Sequence, residues 1–199
     1  EQLNEMHIDV LKEIGNIGSG NAATALATML SKKVDMNVPQ VRILEFKDVA
    51  EVLGGEEKLV AGIYLDLNEE VDGNIMFILD LESAINLTNM LLNRETNEKQ
   101  LDDMAISALS EVGNILASSY VNSLSALTGL KISVSVPSLA IDMAGAILSV
   151  PAIQFGYIAD QVLFIETVFE EDDKSVKGNL FLLPDMNSFE RILSSLGVS

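Results

Sequence analysis

Two residue types recur at one spacing in this chain: Glu13 with Asn16, and Glu111 with Asn114. Asparagine does not titrate, so it is no general base. Its carboxamide both accepts and donates hydrogen bonds and can hold a water molecule in place. Phosphoryl transfer is a reaction for which that suffices, because catalysis there is mostly positioning and electrostatics. A glutamate one turn earlier could pair with a lysine of a partner protein or take a proton from the water. An exposed glutamate is a weak base near neutrality, which favours docking.

Other chemistries have less to build on. The single histidine, His7, has no cluster around it in sequence and reads as an ordinary surface residue. A Ser-His-Asp triad or a histidine metal site therefore lacks its parts. There is no cysteine, which removes disulfides, thiolate metal sites and a thiol nucleophile. The run Gly15-Asn16-Ile17-Gly18-Ser19-Gly20 invites a phosphate-loop reading, but it has no Gly-Lys-Ser/Thr ending and lies inside a helix rather than after a strand. The acidic runs Glu69-Glu70 and Glu170 to Asp173 read as solvated hairpin tips rather than a cation site. No metal site is expected.

The elements that carry the pair are themselves repeated. Asp9-x3-Glu13-x2-Asn16 matches Ser107-x3-Glu111-x2-Asn114, and a proline follows each, Pro39 and Pro137. The offset is constant: 111 − 13, 114 − 16 and 137 − 39 all give 98. At about 100° per residue, Asp9, Glu13 and Asn16 share an arc of roughly 60° on a helix. Val10, Ile14, Ile17 and Ala25 fall on the other side, flanked by Leu11, Gly18 and Met29. In the second copy Ser107, Glu111 and Asn114 share a face, while Ala108, Val112, Ile115 and Leu116 turn away. One Glu-x-x-Asn alone would read as a solvated face. Its recurrence is harder to dismiss, since an outward face takes nearly any polar residue and asparagine is a mediocre helix former. Shared ancestry without retained function is the competing account. The small residues Gly18, Ser19, Gly20, Ala22 and Ala23 admit a close approach to the backbone, from outside or by tight internal packing.

Along the chain the pattern predicts helix over 6–30, strand over 41–46, a short helix over 48–53, and strands over 58–67 and 74–79 joined by a hairpin. Asp80 caps a helix ending near Leu92. After the polar connector 95–100 come a second long helix over 101–127, a β-rich stretch over 131–136, and an extended stretch over 148–155. Strands over 162–169 and 179–183 follow, and a last helix capped by Asp185. Gly73-Asn74 and Asp80 match Gly178-Asn179 and Asp185 at an offset of 105, which puts seven extra residues inside the second half. The expected fold is α/β (α+β): a single domain over 1–199, made of two pseudo-symmetric helix-strand-strand-strand-helix halves at about 1–97 and 98–199. Its sheet is at least partly antiparallel, with two long motif-bearing helices.

The net charge is −18, from 30 acidic and 12 basic residues. That leaves no basic footprint for nucleic acid and repels an anionic membrane surface, while a protein partner with a basic patch would be attracted. The start of the sequence is unlike a signal peptide, and the apolar stretch 138–159 is too interrupted to span a membrane, so no membrane insertion is expected.

The doubled pattern Asp/Ser-x3-Glu-x2-Asn-x22-Pro resembles the CheC family of bacterial chemotaxis phosphatases, over essentially the whole chain. Its relative CheX is similar, with one motif per chain and action as a dimer. The flagellar-switch proteins FliM and FliY share the core, and FliM lacks the Glu/Asn pairs. The resemblance implies a cytoplasmic monomer acting on phosphorylated CheY, a response regulator with an aspartyl phosphate. It implies that Asn16 and Asn114 hold the attacking water, that Glu13 and Glu111 bind the regulator's lysine, and that Asp9, Ser107, Pro39 and Pro137 support the motif. The Mg²⁺ would be CheY's own, with no cofactor on this chain. CheD, a receptor deamidase, would bind and raise the activity. The alternative is a non-catalytic scaffold of the flagellar-switch type that holds CheY-phosphate or CheD.

Overall fold

The computed structural model describes residues 5–155 and 161–196, with side chains described outside 152–155. The order is α1 (Glu5–Leu30), β1 (Asp35–Glu45), a 3₁₀ turn (Phe46–Asp48), α2 (Val49–Val52), β2 (Leu59–Glu69), β3 (Gly73–Asp80) and α3 (Leu81–Leu91). The second half runs α4 (Asp103–Thr128), β4 (Ile132–Val134), β5 (Ser138–Met143), α5 (Ala144–Phe155), β6 (Gln161–Glu171), β7 (Lys174–Pro184) and α6 (Met186–Ser195).

Local chemistry sets the helix starts. Asp80, Asp102 and Asp185 each occupy an N-cap, accepting from the backbone N–H of Ser83, Ala105 and Ser188. Gly129 closes α4 in the left-handed conformation at φ 73°. Asp102 is also held by two 2.8 Å hydrogen bonds from the Arg94 guanidinium. That pairing, reinforced by the Ala105 N–H, lowers the Asp102 carboxyl to about 2.

The strands form one sheet in the order β1-β6-β7-β3-β2-β4, with β5 also on β2, and every pairing is antiparallel. The edge strand of each half therefore pairs into the other half: β1 lies on β6, and β4 with β5 lies on β2. At the centre β3 pairs with β7, and Met76 faces Phe181. Since 181 − 76 = 105, the offset that relates Gly73 to Gly178, the pseudo-two-fold axis passes through this residue pair.

Both faces of the sheet are covered. Leu11, Ile14 and Leu26 of α1, Leu109, Val112, Leu116 and Leu124 of α4, Leu87 of α3 and Ile192 of α6 bury against Ile63, Ile75, Phe77, Ile165 and Leu180. On the opposite face Val49, Leu53, Ala144, Ile147 and Leu148 pack on Val60, Met76, Ile78, Phe164 and Phe181. Residues on alternate positions of β2, β3, β6 and β7 thus serve two cores, which is why these strands read as nearly continuous apolar runs.

Two readings of the sequence are corrected. The stretch 148–155, expected to be extended, belongs to helix α5, and β5 precedes it where no strand was expected. A short apolar run carries no period that separates a buried helix from a buried strand. Helix α5 occupies the place of the 3₁₀ turn and α2 in the first half, and its twelve residues take up much of the extra length. Among the described residues, no helix is long and apolar enough to cross a membrane.

Candidate functional site

The outward face of α1 carries Asp9, Glu13 and Asn16, all exposed. Its buried stripe is His7, Leu11, Ile14, Gly15, Gly18, Ser19, Ala22 and Leu26, the spacing of a helix seated on a sheet. The expected inward face was thus rotated too far. Leu11 and Gly18 face the core, whereas Ile17, Ala25 and Met29 are exposed. His7 is not a surface residue but a buried one, 4% exposed, four positions before Leu11 on the same stripe. On α4, Ser107 and Glu111 are exposed and Asn114 is half-buried. Val112 and Leu116 are buried, as the period predicts, with Ala108 and Ile115 half-buried.

Glycines bring these helices close to their neighbours. A side chain at Gly18 would meet the Tyr120 ring at 2.5 Å and its Cα at 3.1 Å, so α1 and α4 touch there. A side chain at Gly15, beside Asn16, would meet Val41 at 3.2 Å and Val38 at 3.7 Å. Gly113, beside Asn114, lies against Ile63. The glycine before each asparagine thus lets the helix sit directly on the sheet, and the asparagine stands at the edge of that contact.

The prolines have a structural reason of their own. Between Asn37 and Gln40 strand β1 advances three residues while β6 advances two, Val168 to Glu166. Between Val134 and Ser138 the second copy advances four residues while β2 advances three, Leu67 to Tyr64. Each copy therefore has one extra residue at its proline, a bulge at the place where a residue without an N–H would break the ladder. In the second copy Ser135 repairs the gap: its Oγ accepts from the Asp66 N–H at 2.8 Å, and its own N–H donates to the Asp66 carbonyl at 3.0 Å.

The bulge in β1 and the outward face of α1 enclose an open cleft of about 390 Å³, lined by Lys12, Asn16, Val38, Pro39, Gln40, Val41 and Arg42. Asn16 and Pro39, far apart in sequence, are brought together there. Glu13 does not line the cleft. Lys12 and Arg42 do, and neither was anticipated. The available signal was that only 12 residues of the chain are basic, so each deserves a stated reason.

Each motif helix leads through a turn into its edge strand and folds back along it. Five antiparallel pairings separate β1 from β5, so α1 and α4 cross the sheet in opposite directions. The two Glu/Asn pairs thus stand on two different helices, α1 and α4. Among the described residues no group of three or more His, Cys, Asp or Glu comes together in a way that could hold a metal ion.

The chain is similar in sequence and fold to known proteins. The sequence model of the CheC-like family matches residues 6–43 and 104–141. Those segments are offset by 104 − 6 = 98 residues, and each contains one motif helix and its bulged strand. The CheY-P phosphatase CheC of Bacillus subtilis is 35% identical, covering 99% of this chain and 97% of its own length. The flagellar motor switch phosphatase FliY of the same organism is 29% identical over 69% of this chain and 36% of its own. The crystal structure of Thermotoga maritima FliY superposes with a TM-score of 0.77 at 24% identity, covering 99% of this chain and 98% of that one, a likeness of fold. With near-complete coverage at 35% identity and both copies matched in place, the chain belongs to the CheC-like family.

Proposed function

We propose that this protein is a hydrolase that removes the aspartyl phosphate from a phosphorylated CheY response regulator. The observation that carries this reading is the near-full-length similarity to a CheY-P phosphatase, in a chain whose two Glu/Asn pairs stand on outward faces of equivalent helices. Asn16 and Asn114 each hold a water in line with the phosphorus, through a carboxamide that bonds the water and the phosphoryl oxygens alike. Glu13 and Glu111, one turn earlier and exposed, dock a lysine of the partner and set its register. Asp9, Ser107, Pro39 and Pro137 shape the two faces. The Mg²⁺ that such a reaction needs belongs to the partner. The protein acts in the cytoplasm as a monomer, and CheD raises its rate.

The test is the decay of phosphorylated CheY in Mg²⁺ with and without this protein. Wild type shortens the lifetime. Asn16→Ala combined with Asn114→Ala abolishes the effect and leaves the circular dichroism spectrum and melting temperature unchanged. Losing one positioned hydrogen-bonding group costs about 10²–10³ in rate at each site. A well-folded double variant that retains full activity would refute the asparagine role. Binding of CheY-phosphate without any shortening of its lifetime, in wild type, would point to a scaffold instead.

A further inference from the structure

The two copies differ in charge beside the asparagine. At the offset of 98, Lys12 corresponds to Ser110 and Arg42 to Ala140. Lys12 and Arg42 line the cleft that holds Asn16, one from the helix and one from the strand that follows the bulge. Ser110 is turned back onto its own helix, its Oγ donating to the Ile106 carbonyl at 2.9 Å.

Both cations are uncommitted. Six of the other basic residues are held in ion pairs: Lys32, Lys33, Lys47, Arg94, Lys131 and Lys177. Arg191 donates to the Glu70 carbonyl. Five basic side chains, those of Lys12, Arg42, Lys58, Lys99 and Lys174, have neither an ion pair nor a hydrogen bond among the described residues, and of these Lys12 and Arg42 line the cleft with Asn16. In so acidic a chain, two free cations converging on one concave site are poised for an anion from outside, because a cleft with low-dielectric walls concentrates their field.

We propose that Lys12 and Arg42 form a phosphoryl-recognition subsite at the first site, absent from the second, which makes the site of Asn16 the faster of the two. The inference rests on the phosphatase reading. A transferring phosphoryl group spreads its charge over three equatorial oxygens, and cationic donors aimed at them act mainly in the transition state. Arginine offers a planar fork for two of these oxygens, and lysine a compact point charge. Atoms balance without a further reactant: water adds to phosphorus, the bond to the aspartyl oxygen breaks, and the products are inorganic phosphate and the free carboxylate.

The test starts from Asn114→Ala, in which only the first copy keeps its asparagine. The rate of CheY-phosphate decay is measured as a function of this protein's concentration, giving a maximal rate and a half-saturating concentration. Adding Lys12→Ser and Arg42→Ala, the residue types of the second copy, lowers the maximal rate by about 10–10² and changes half-saturation little. Lys58→Ser with Lys99→Ser, the same charge change elsewhere, leaves both unchanged. Ser110→Lys with Ala140→Arg in the Asn16→Ala background raises the rate of the second site. An unchanged maximal rate in the Lys12/Arg42 variant overturns the proposal. So does an effect on half-saturation alone, which would assign the cations to the partner's acidic surface, and so does an inactive Asn114→Ala protein beside an active wild type.

Inorganic phosphate reads the subsite without turnover. Saturable NMR shifts of the Asn16 carboxamide and the Arg42 guanidinium are expected in wild type, with the Asn16 shift lost in the Lys12/Arg42 variant, and their absence from wild type overturns the proposal. If phosphate binds but wild type never speeds decay, the phosphatase reading fails and the anion subsite stands.

Discussion

The outward position of Asn16 was legible from sequence because a helix has one period and the repeat marked the same face twice. Lys12 and Arg42 were not. Their meeting depends on a bulge in β1 that swings residues 38–42 against α1, and no local pattern encodes that contact. His7 was misread for a related reason: its burial depends on how α1 lies on its neighbours, not on residue type. The buried interior also holds an unresolved polar contact. The Tyr120 hydroxyl faces Ser19 and Thr167, yet it and Thr167 Oγ1 are buried without completing a hydrogen bond. Burial pushes the tyrosine pKa up, and the two neighbouring hydroxyls offset only part of that. A buried hydroxyl that makes no bond costs about 1–3 kcal/mol, so Tyr120→Phe should raise stability by about 1 kcal/mol in urea denaturation. A loss of that size would show instead that the hydroxyl is bonded in solution.

At the level of elements, caps and turns were read well because their signals are local: Asp80 and Asp185 cap the helices they were expected to cap. The run 148–155 was misread because a short apolar run carries no period that tells a helix from a strand. Helix α1 offers a matched pair of glycines. Gly18 abuts Tyr120, including its backbone, whereas nothing lies within 4 Å of a side chain placed at Gly20. Gly20→Ala should therefore stabilise by up to about 1 kcal/mol through helix propensity alone. Gly18→Ala forces α1 and α4 apart and should lose about 1–3 kcal/mol. Melting temperatures that move in the same direction for both would refute this packing.

Helix α4 adds a pH test. Asp102 titrates at about 2 in the fold, below its ordinary value of 3.8. A depressed carboxyl contributes stability above pH 4 and loses it as pH falls through about 2. Asp102→Asn keeps a cap acceptor but not the Arg94 pair. The stability gap between wild type and Asp102→Asn should hold steady above pH 4 and close between pH 4 and 2. A gap that persists at pH 2 would assign the difference to the cap rather than the charge.

At the scale of the molecule, the doubling was visible as an offset, but the exchange between the halves was not. Register is a non-local property, and the sequence does not say that β1 pairs with β6 and β5 with β2. The consequence is testable. Cut between α3 and α4, fragment 1–97 keeps the β2–β3 hairpin but strips β1 of its partner and exposes the edge of β3 that β7 covers. Fragment 98–199 loses β2, the strand on which β4 and β5 both lie. Leu11, Ile14 and Leu26 would also lose the α4 residues they are buried with. Neither half retains a complete core face, and a two-stranded hairpin is marginal on its own. We therefore take 1–199 as one folding unit. Each fragment alone should show little cooperative unfolding by circular dichroism at micromolar concentration. Mixed at equal concentration, the two should recover a cooperative transition, because the central Met76–Phe181 register and both edge exchanges are rebuilt only when both are present. A fragment that melts cooperatively as a monomer would show that the repeat still encodes an independent domain. The strand exchange would then be an addition to that domain rather than the bond that holds the two motif-bearing helices in one molecule.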